Sequence, residues 1–338
     1  MASNGSQKSK LDSIDLEQVE AAEDGKKTLR RTILRLAGPS LTEMVLTNFL
    51  AMLNMIMVGR VGPEAVTAVG LTNTIVFLML ATFFAINTGA TAIIARSIGA
   101  GEPEQANVAA QQTFLINLLL SIAFSVSSYL LAEPLLRFMG AAPEVLADGV
   151  LYAQIIFLSL GLTALSMGLS AVLRGAGDTK TPARINVLST ILTVALGFPL
   201  IYGYLGFPEL GVVGAAVANL VARLTATVWV VYVLFSGDAR IRLRVAGMWK
   251  VDREMVKRII RIGLPAAGEQ FSLRTGQMIL AKVVAGLGTI TFAAHQIAFS
   301  VLGMTFMPGM AFALVATTLV GQALGAQKPE LAEKFGWE

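Results

Sequence analysis

Eight uninterrupted hydrophobic runs leave this 338-residue chain almost no fold but a bundle of membrane-crossing helices. They are Ile33–Val58, Val66–Ile98, Val108–Leu131, Val145–Leu173, Pro182–Tyr202, Leu210–Phe235, Ile259–Val284 and Thr291–Leu324. A helix crosses a hydrocarbon layer of about 30 Å with about 20 residues, so the longer runs predict tilted or protruding helices. Inside lipid every backbone N–H and C=O needs an internal partner, which restricts the choice to helices and closed barrels. Barrel strands are about ten residues long and alternate apolar with polar side chains, whereas these runs are continuous. With 55% hydrophobic and 14% charged residues, and a mean hydropathy of +0.68, a soluble globular protein is excluded. The fold class is all-α and polytopic.

The chain also repeats itself. Arg35 to Ala106 aligns without a gap on Arg261 to Ala332, 226 residues later, with fifteen of seventy-two columns identical. The matches include Pro39/Pro265, Glu43/Glu269, Gly62/Gly288 and Thr91/Thr317, and the stretch ends with GAGEPEQA (Gly99 to Ala106) over GAQKPELA (Gly325 to Ala332). Repeated hydrophobic halves mark many secondary transporters, in which one half rocks against the other. Six spans precede the second copy, so the chain returns to the face it started from. The two copies are therefore parallel, related by an axis along the membrane normal. The expected organisation is a disordered cytoplasmic tail (1–32), a complete six-helix bundle (33–235), a basic linker (236–257) and the first two helices of a second bundle (258–338). A full second bundle would end about 120 residues further on, which reads as a truncation.

Charge placement orients the bundle. Of 26 Lys and Arg residues, 21 fall in the tail, in the linker counted to Arg261, and in segments on the same side of the membrane. This positive-inside bias places the N-terminus in the cytoplasm. The net charge of +4 then reports topology and anionic headgroups, not nucleic acid. The chain has no cysteine, hence no disulfide or thiolate-bound metal, and one histidine without clustered carboxylates predicts no catalytic metal site. A phosphate-cradling GxxxxGK[ST] is absent, so no ATP site is expected. No nucleophile, base and orienting group converge on a span, which argues against an enzyme.

Charges inside the bilayer are candidates for function, since each costs roughly 2.5–3.5 kcal/mol at mid-helix. Two acids qualify, Glu43 and Glu269, equivalent in the repeat and each four residues after a proline, beside a carbonyl that the proline frees. They are the candidates for proton or Na+ coupling. Pairing of Glu43 with Arg35, or of Glu269 with Arg261, is disfavoured, because eight residues span about 12 Å of helix. Arg223 and Arg274 also lie within spans, and Glu43 or Glu269 is the expected partner of Arg223. His295 titrates in the physiological range. Amides inside spans, Asn54, Asn186 and Asn219 among them, read as interhelical hydrogen-bonding or cavity-lining groups.

The loop after the fourth span carries the most specific signal. Leu173, Arg174, Gly175, Gly177, Asp178, Thr179, Thr181 and Pro182 spell LRGxGDTxTP, which resembles the signature of the multidrug and toxic-compound extrusion (MATE) family of antiporters. Leu53 to Gly70, Ala293 to Ile297 and Val320 to Ala326 resemble further motifs of that family, and the likeness runs from about Leu34 to Trp337. Read from the residues alone, Gly175 and Gly177 permit a tight turn, Asp178 and Thr179 cap the helix entered at Pro182, and Arg174 and Lys180 face the cytoplasm. The resemblance implies twelve helices in two bundles, a central cavity, and export of amphipathic, often cationic compounds against Na+ or H+, with no other cofactor. It also implies that the first-bundle cation site is altered, for Asn54 stands where many members have Asp. Thr193 and Gly197 fall on an NxxxD pattern, and Asn219 replaces a common Thr. Coupling would then lean on Glu43, Glu269 or residues beyond 338. Two other readings remain: a flippase for lipid-linked saccharides of the same superfamily, and a non-transporting truncated relic.

Overall fold

A computed structural model describes the backbone of residues 25–141, 143–236, 241, 243, 249–285 and 289–338. Side chains at 25, 26, 63, 205, 278, 281, 282, 284–301, 303, 304 and 307 lie outside the description. Among the described residues ten α-helices follow in order: α1 (Gly25–Gly59), α2 (Pro63–Gly99), α3 (Pro103–Leu130), α4 (Ala132–Phe138), α5 (Pro143–Gly175), α6 (Lys180–Tyr202), α7 (Gly211–Ser236), α8 (Arg253–Ala285), α9 (Thr289–Gly325) and α10 (Pro329–Trp337). A Pro-Glu pair opens α2, α3, α5 and α10. The proline has no N–H to leave unpaired in the first turn, and the acid sits on the positive end of the helix dipole.

Seven helices among the described residues are long and apolar enough to cross a membrane, against eight expected. The exception is α8, whose 33 residues carry Arg253, Glu254, Lys257, Arg258, Arg261, Glu269, Arg274 and Lys282. Helix α1 begins at Gly25, not at Ile33. Leu29 and Ile33 are buried against Leu331 and Phe335 of α10, which supplies the apolar contact that sequence patterning in the tail did not suggest. Arg30 Nε donates to Glu338 Oε2 at 2.8 Å across the same junction. Helix α8 likewise starts at Arg253, its first turn capped by Asp252 Oδ1, which accepts from Met255 N at 3.0 Å. Residues 1–24 lie outside the described residues.

Helix α5 is the centre of the first bundle, packed on α2, α3 and α7, while α6 packs on α7 and α1. Its inner face is built from Phe157, Leu160, Leu169, Val172 and Leu173, all at or near zero exposure. Small residues set the helix spacing: a Cβ on Gly168 would lie 2.6 Å from the Asn117 side chain, which fills that notch.

The repeat is visible bond for bond in the turns after α2 and α9. Ala100, Gly101 and Glu102 donate to the carbonyls of Arg96, Ile98 and Ser97 at 2.9, 3.2 and 2.9 Å. Ala326, Gln327 and Lys328 donate to those of Gln322, Leu324 and Ala323 at the same three distances. Both are helix-ending turns that need a left-handed residue. Gly101 takes it at φ 71°, and Gln327 takes it at φ 58° with a side chain.

The two halves meet across a pseudo-twofold axis. A Cβ on Gly99 would collide with the carbonyl of Gln322, and one on Gly325 with the carbonyl of Arg96. The 226-residue offset exchanges these two contacts. Between them Gly321 faces Ala95, its own counterpart, so the axis passes through that pair. Ala95-xxx-Gly99 and Gly321-xxx-Gly325 form the small-residue crossing by which helices associate in lipid. A second pair of contacts obeys the same symmetry. Gly89 lies on Ile259 and Gly263 of α8, while their equivalents Val315, Ile33 and Ala37 share one buried cluster. These tight contacts sit on the portions of α1, α2, α8 and α9 next to the basic loops. Further along α8 and α9, a Cβ on Gly268, Gly276 or Gly309 would meet nothing within 4 Å.

The left-handed turn gives a direct test. A non-glycine residue there costs about 1–2 kcal/mol, and Gln327 is exposed. Gln327→Gly should therefore raise the thermal unfolding midpoint in detergent, and Gly101→Ala should lower it although open space surrounds Gly101.

Candidate functional site

Helix α5 ends at the seam, and its last residues carry the signature loop. The loop is a left-handed turn at Gly177 (φ 93°), closed by Gly177 N and Asp178 N on the carbonyls of Arg174 and Leu173, each at 2.9 Å. Gly175 lets α5 approach α2, where a Cβ would sit 3.0 Å from the Thr91 carbonyl and 3.1 Å from Ile94 Cβ. Asp178 Oδ1 caps α6 by accepting from Thr181 N at 3.0 Å. Thr179 does not cap. Its hydroxyl donates instead to the Leu36 carbonyl of α1 at 3.0 Å, because the loop packs on α1 and buries Thr179 at 2% exposure. Pro182 is buried in the first turn of α6.

Arg174 does not face the cytoplasm either. Its side chain is 14% exposed, and Nη1 lies 3.8 Å from Glu43 Oε2. The other carboxylate oxygen, Glu43 Oε1, accepts from Asn186 Nδ2 of α6 at 2.6 Å. Glu43 is thus held by the loop and by α6, not by Arg223. Nor does it adjoin the carbonyl that Pro39 frees, for that is the carbonyl of Arg35, four residues before the proline and two turns from Glu43.

The second half closes on the same place. Thr318 Oγ1 of α9 donates to the Arg174 carbonyl at 3.2 Å, and Gln322 Nε2 to the Gly175 carbonyl at 3.3 Å. The last carbonyls of a helix have no intrahelical partner; Gln322 supplies one to Gly175, while Thr318 adds a second bond to the Arg174 carbonyl that Gly177 N already holds. Both donors are buried. They escaped the sequence reading because neither is charged, although two polar side chains one turn apart in an apolar run were the available signal.

Away from the seam the polar groups are arranged differently. Asn54 Oδ1 of α1 is buried without a hydrogen-bond partner. It faces α6 at Gly197, where a Cβ would lie 3.8 Å from Asn54 Oδ1, 3.1 Å from Met57 Cε and 3.9 Å from Ala218 Cβ. Asn54, Gly197 and the Ala218–Asn219 turn therefore converge. Thr193 is buried and spends its hydroxyl on the Ser189 carbonyl at 3.0 Å. Asn219 Oδ1 accepts from Ser159 Oγ of α5 at 2.7 Å. An interhelical Asn117–Asn87 bond of 3.2 Å joins α3 to α2, as expected of amides in spans.

Glu269 and Arg274 are both exposed on α8. Arg274 Nη1 bonds Gln277 Oε1 at 3.3 Å, and no ion pair joins the two residues. Arg223 is half-buried on α7 and has no acid within ion-pair distance among the described residues. His295 belongs to α9, but its side chain lies outside the described residues. At the end opposite the basic loops, a cavity of about 540 Å³ is lined in part by Glu64, Glu144, Asp148 and Glu209. No three metal-ligating side chains converge among the described residues.

Known proteins share this arrangement. The MatE family model matches residues 39–198 and 265–335. A probable multidrug resistance protein NorM of Thermotoga maritima is 30% identical over 306 residues, covering 89% of this chain and 65% of the relative. The multidrug resistance protein PmpM of Pseudomonas aeruginosa is 26% identical over 305 residues, covering 88% and 63%. The chain thus spans somewhat under two thirds of the length of these relatives. Among solved structures, a MOP superfamily transporter from Pyrococcus furiosus, described as having a binding pocket of reverse polarity, superposes with a TM-score of 0.84 at 27% identity. The match covers 94% of this chain and 69% of that one. An outward-facing multidrug resistance MATE transporter gives the same score and identity over 91% and 67%. The family match covers well over half of the residues and falls on both copies of the repeat, and it includes the loop that locks α5 to the seam: the chain belongs to the MatE family of transporters.

Proposed function

We propose that this chain supplies the complete first bundle and the opening helices of the second in a secondary exporter. It would move amphipathic or cationic compounds out of the cell in exchange for Na+ or H+. The observation that carries the reading is the seam. Two pseudo-symmetric halves touch backbone to backbone beside the basic loops, and their glycines meet nothing further along. The positive-inside rule puts the basic loops, and the N-terminus, on the cytoplasmic side of the plasma or inner membrane. The described conformation is then closed to the cytoplasm and open outward, the state also named for one of the similar solved structures. Rocking the halves about the Ala95–Gly321 axis would exchange the open side. The ligands are small molecules and the surrounding bilayer; neither ATP nor nucleic acid has a place in the scheme.

Within this scheme Glu43 and Glu269 are the coupling carboxylates. Glu43 is tied to Arg174, so a change in its charge reaches the loop on which α9 docks. Glu269 is exposed and has no ion pair among the described residues, which leaves it open to an incoming ion. Asn54 offers a neutral oxygen to a cation or ligand, a weaker counterpart of a carboxylate.

Two measurements follow. The chain has no native cysteine, so Ala323→Cys, at 0% exposure in the seam, reports cytoplasmic opening by maleimide labelling, and Thr74→Cys on the exposed far portion of α2 reports outward opening. Thr318→Val with Gln322→Leu removes two hydrogen bonds worth about 1 kcal/mol each. That should speed labelling of the Ala323→Cys thiol on the order of tenfold and slow labelling of the Thr74→Cys thiol. If both rates rose together, the change would be loosening and not alternating access. In vesicles with an imposed Na+ or H+ gradient, a full-length relative carrying the counterpart of Glu269→Gln or Glu43→Gln should lose gradient-driven efflux while still binding its substrate. Undiminished efflux removes that carboxylate from the coupling path.

A further inference from the structure

Arg223 sits where a positive charge has the least access to water. On α7 it is 12 residues from Gly211 and 13 from Ser236, about 18 and 20 Å along the axis, beyond the reach of a side chain that snorkels to either surface. It does not face lipid. Positions one to three turns away on the same stripe are Val212, Ala216, Asn219, Thr227 and Val230, and of these Val212, Ala216, Thr227 and Val230 are buried. Two members of the stripe bond α5: Asn219 Oδ1 accepts from Ser159 Oγ, and Thr227 Oγ1 donates to the Leu162 carbonyl at 3.0 Å. The lipid stripe is the opposite one, with Val221, Leu224, Val228 and Tyr232 exposed. Yet Arg223 is only half-buried, so the inward face opens into space at that level.

Its guanidinium has no hydrogen bond and no ion pair to any described residue. The one acid in the span interiors of this bundle, Glu43, is matched by Arg174. The acids at the far mouth begin near Glu209, beyond the end of α7. The interior of the first bundle therefore carries one uncompensated positive charge at mid-membrane, where isolated charges are kept for function. One turn away, Asn219 uses Oδ1 for Ser159, and its Nδ2 has no acceptor among the described residues. Arg223 and Asn219 thus present free donors at i and i+4 on one inward face.

We propose that Arg223 and Asn219 form a subsite for the anionic head of an amphipathic ligand, a carboxylate, sulfonate or phosphate ester. A planar guanidinium fork is suited to such groups, and the apolar stripe above and below accepts the ligand's body. The transporter reading is needed only for calling the ligand a substrate; the site itself is tested by equilibrium binding.

The full 338-residue chain in detergent, with radiolabelled taurocholate as the anionic probe and rhodamine 6G as the cationic one, gives the test. Saturable taurocholate binding is expected. Arg223→Gln should weaken it at least tenfold, Asn219→Ala about threefold, and Arg223→Lys should recover most of the loss because the charge remains. Rhodamine 6G affinity should be unchanged or higher in Arg223→Gln. Should Arg223→Gln not yield a monodisperse protein, Asn219→Ala and Arg223→Lys, which keep the charge, carry the comparison. An equal taurocholate affinity in wild type and Arg223→Gln overturns the proposal, as does failure of the wild type to bind taurocholate saturably. Absence of gradient-driven efflux with charge-dependent binding retained counts against the exporter reading and leaves the subsite standing.

Discussion

At the crossing of α2 and α9 there is no room for a side chain on either helix. Gly99 rests on the carbonyl of Gln322 and Gly325 on the carbonyl of Arg96. In lipid there is little hydrophobic gain in bringing two apolar helices together, so association relies on such close backbone contact and on buried polar bonds. Here both operate at one place. The 226-residue spacing carries the glycine of one half onto that of the other, so a single sequence element, repeated, makes both sides of the joint. Any β-carbon at either position would separate the helices, and the bonds beyond them would go with it.

Those bonds run through the end of α5. A helix terminus leaves carbonyls unpaired, and α5 ends inside the seam, where water is excluded. Gln322 of the opposite half satisfies the Gly175 carbonyl, Thr318 adds a second bond to that of Arg174 beside Gly177 N, and Thr91 of α2 adds one to that of Ala171 at 3.3 Å. The signature loop then turns at Gly177, caps α6 through Asp178 and ties to α1 through Thr179. Arg174 gains twice: a cation suits the negative end of the α5 dipole, and its side chain reaches Glu43. The ten residues from Leu173 to Pro182 thereby help to join α1, α2, α5, α6 and the other half of the molecule.

The helical class, the repeat and most helix ends were legible in the sequence, because span length and Pro-Glu starts depend on local chemistry alone. The seven clear spans among the described residues, where eight were expected, differ only at α8, where eight charged residues dilute the run. The site was legible in part. Glu43, Arg174, Asn186 and Thr179 stood out one by one, since charge and motif spacing mark them, but their grouping did not. Glu43 and Arg174 lie 131 positions apart, and nothing local says that the end of α5 folds back beside α1. Thr318 and Gln322 left no mark because their partners are backbone carbonyls, which any sequence supplies. Helix α1 extends to Gly25 through contact with α10, near the other end of the chain, a tertiary cause that tail composition cannot report.

Charges within a membrane bundle divide into those the protein pairs and those it leaves open, and the division bears on mechanism. Glu43 and Arg174 are paired at the joint, so each stabilises the closed seam only while the other keeps its charge. Removing one leaves a buried charge alone, which is costlier than losing the pair. Arg223, Glu269 and Arg274 have no such partner, and their cost is not offset by any ion pair in the described chain. Glu269 and Arg274 face outward from α8, whereas Arg223 faces the interior of a bundle whose remaining groups there are neutral: Asn54, Thr193, Gly197 and Asn219. At the level of Arg223 the bundle thus presents one guanidinium among neutral groups, which is the basis of the proposed anion subsite. The acids Glu64, Glu144, Asp148 and Glu209 line a cavity at the end opposite the basic loops. That end of the first bundle and the level of Arg223 therefore carry opposite signs of charge.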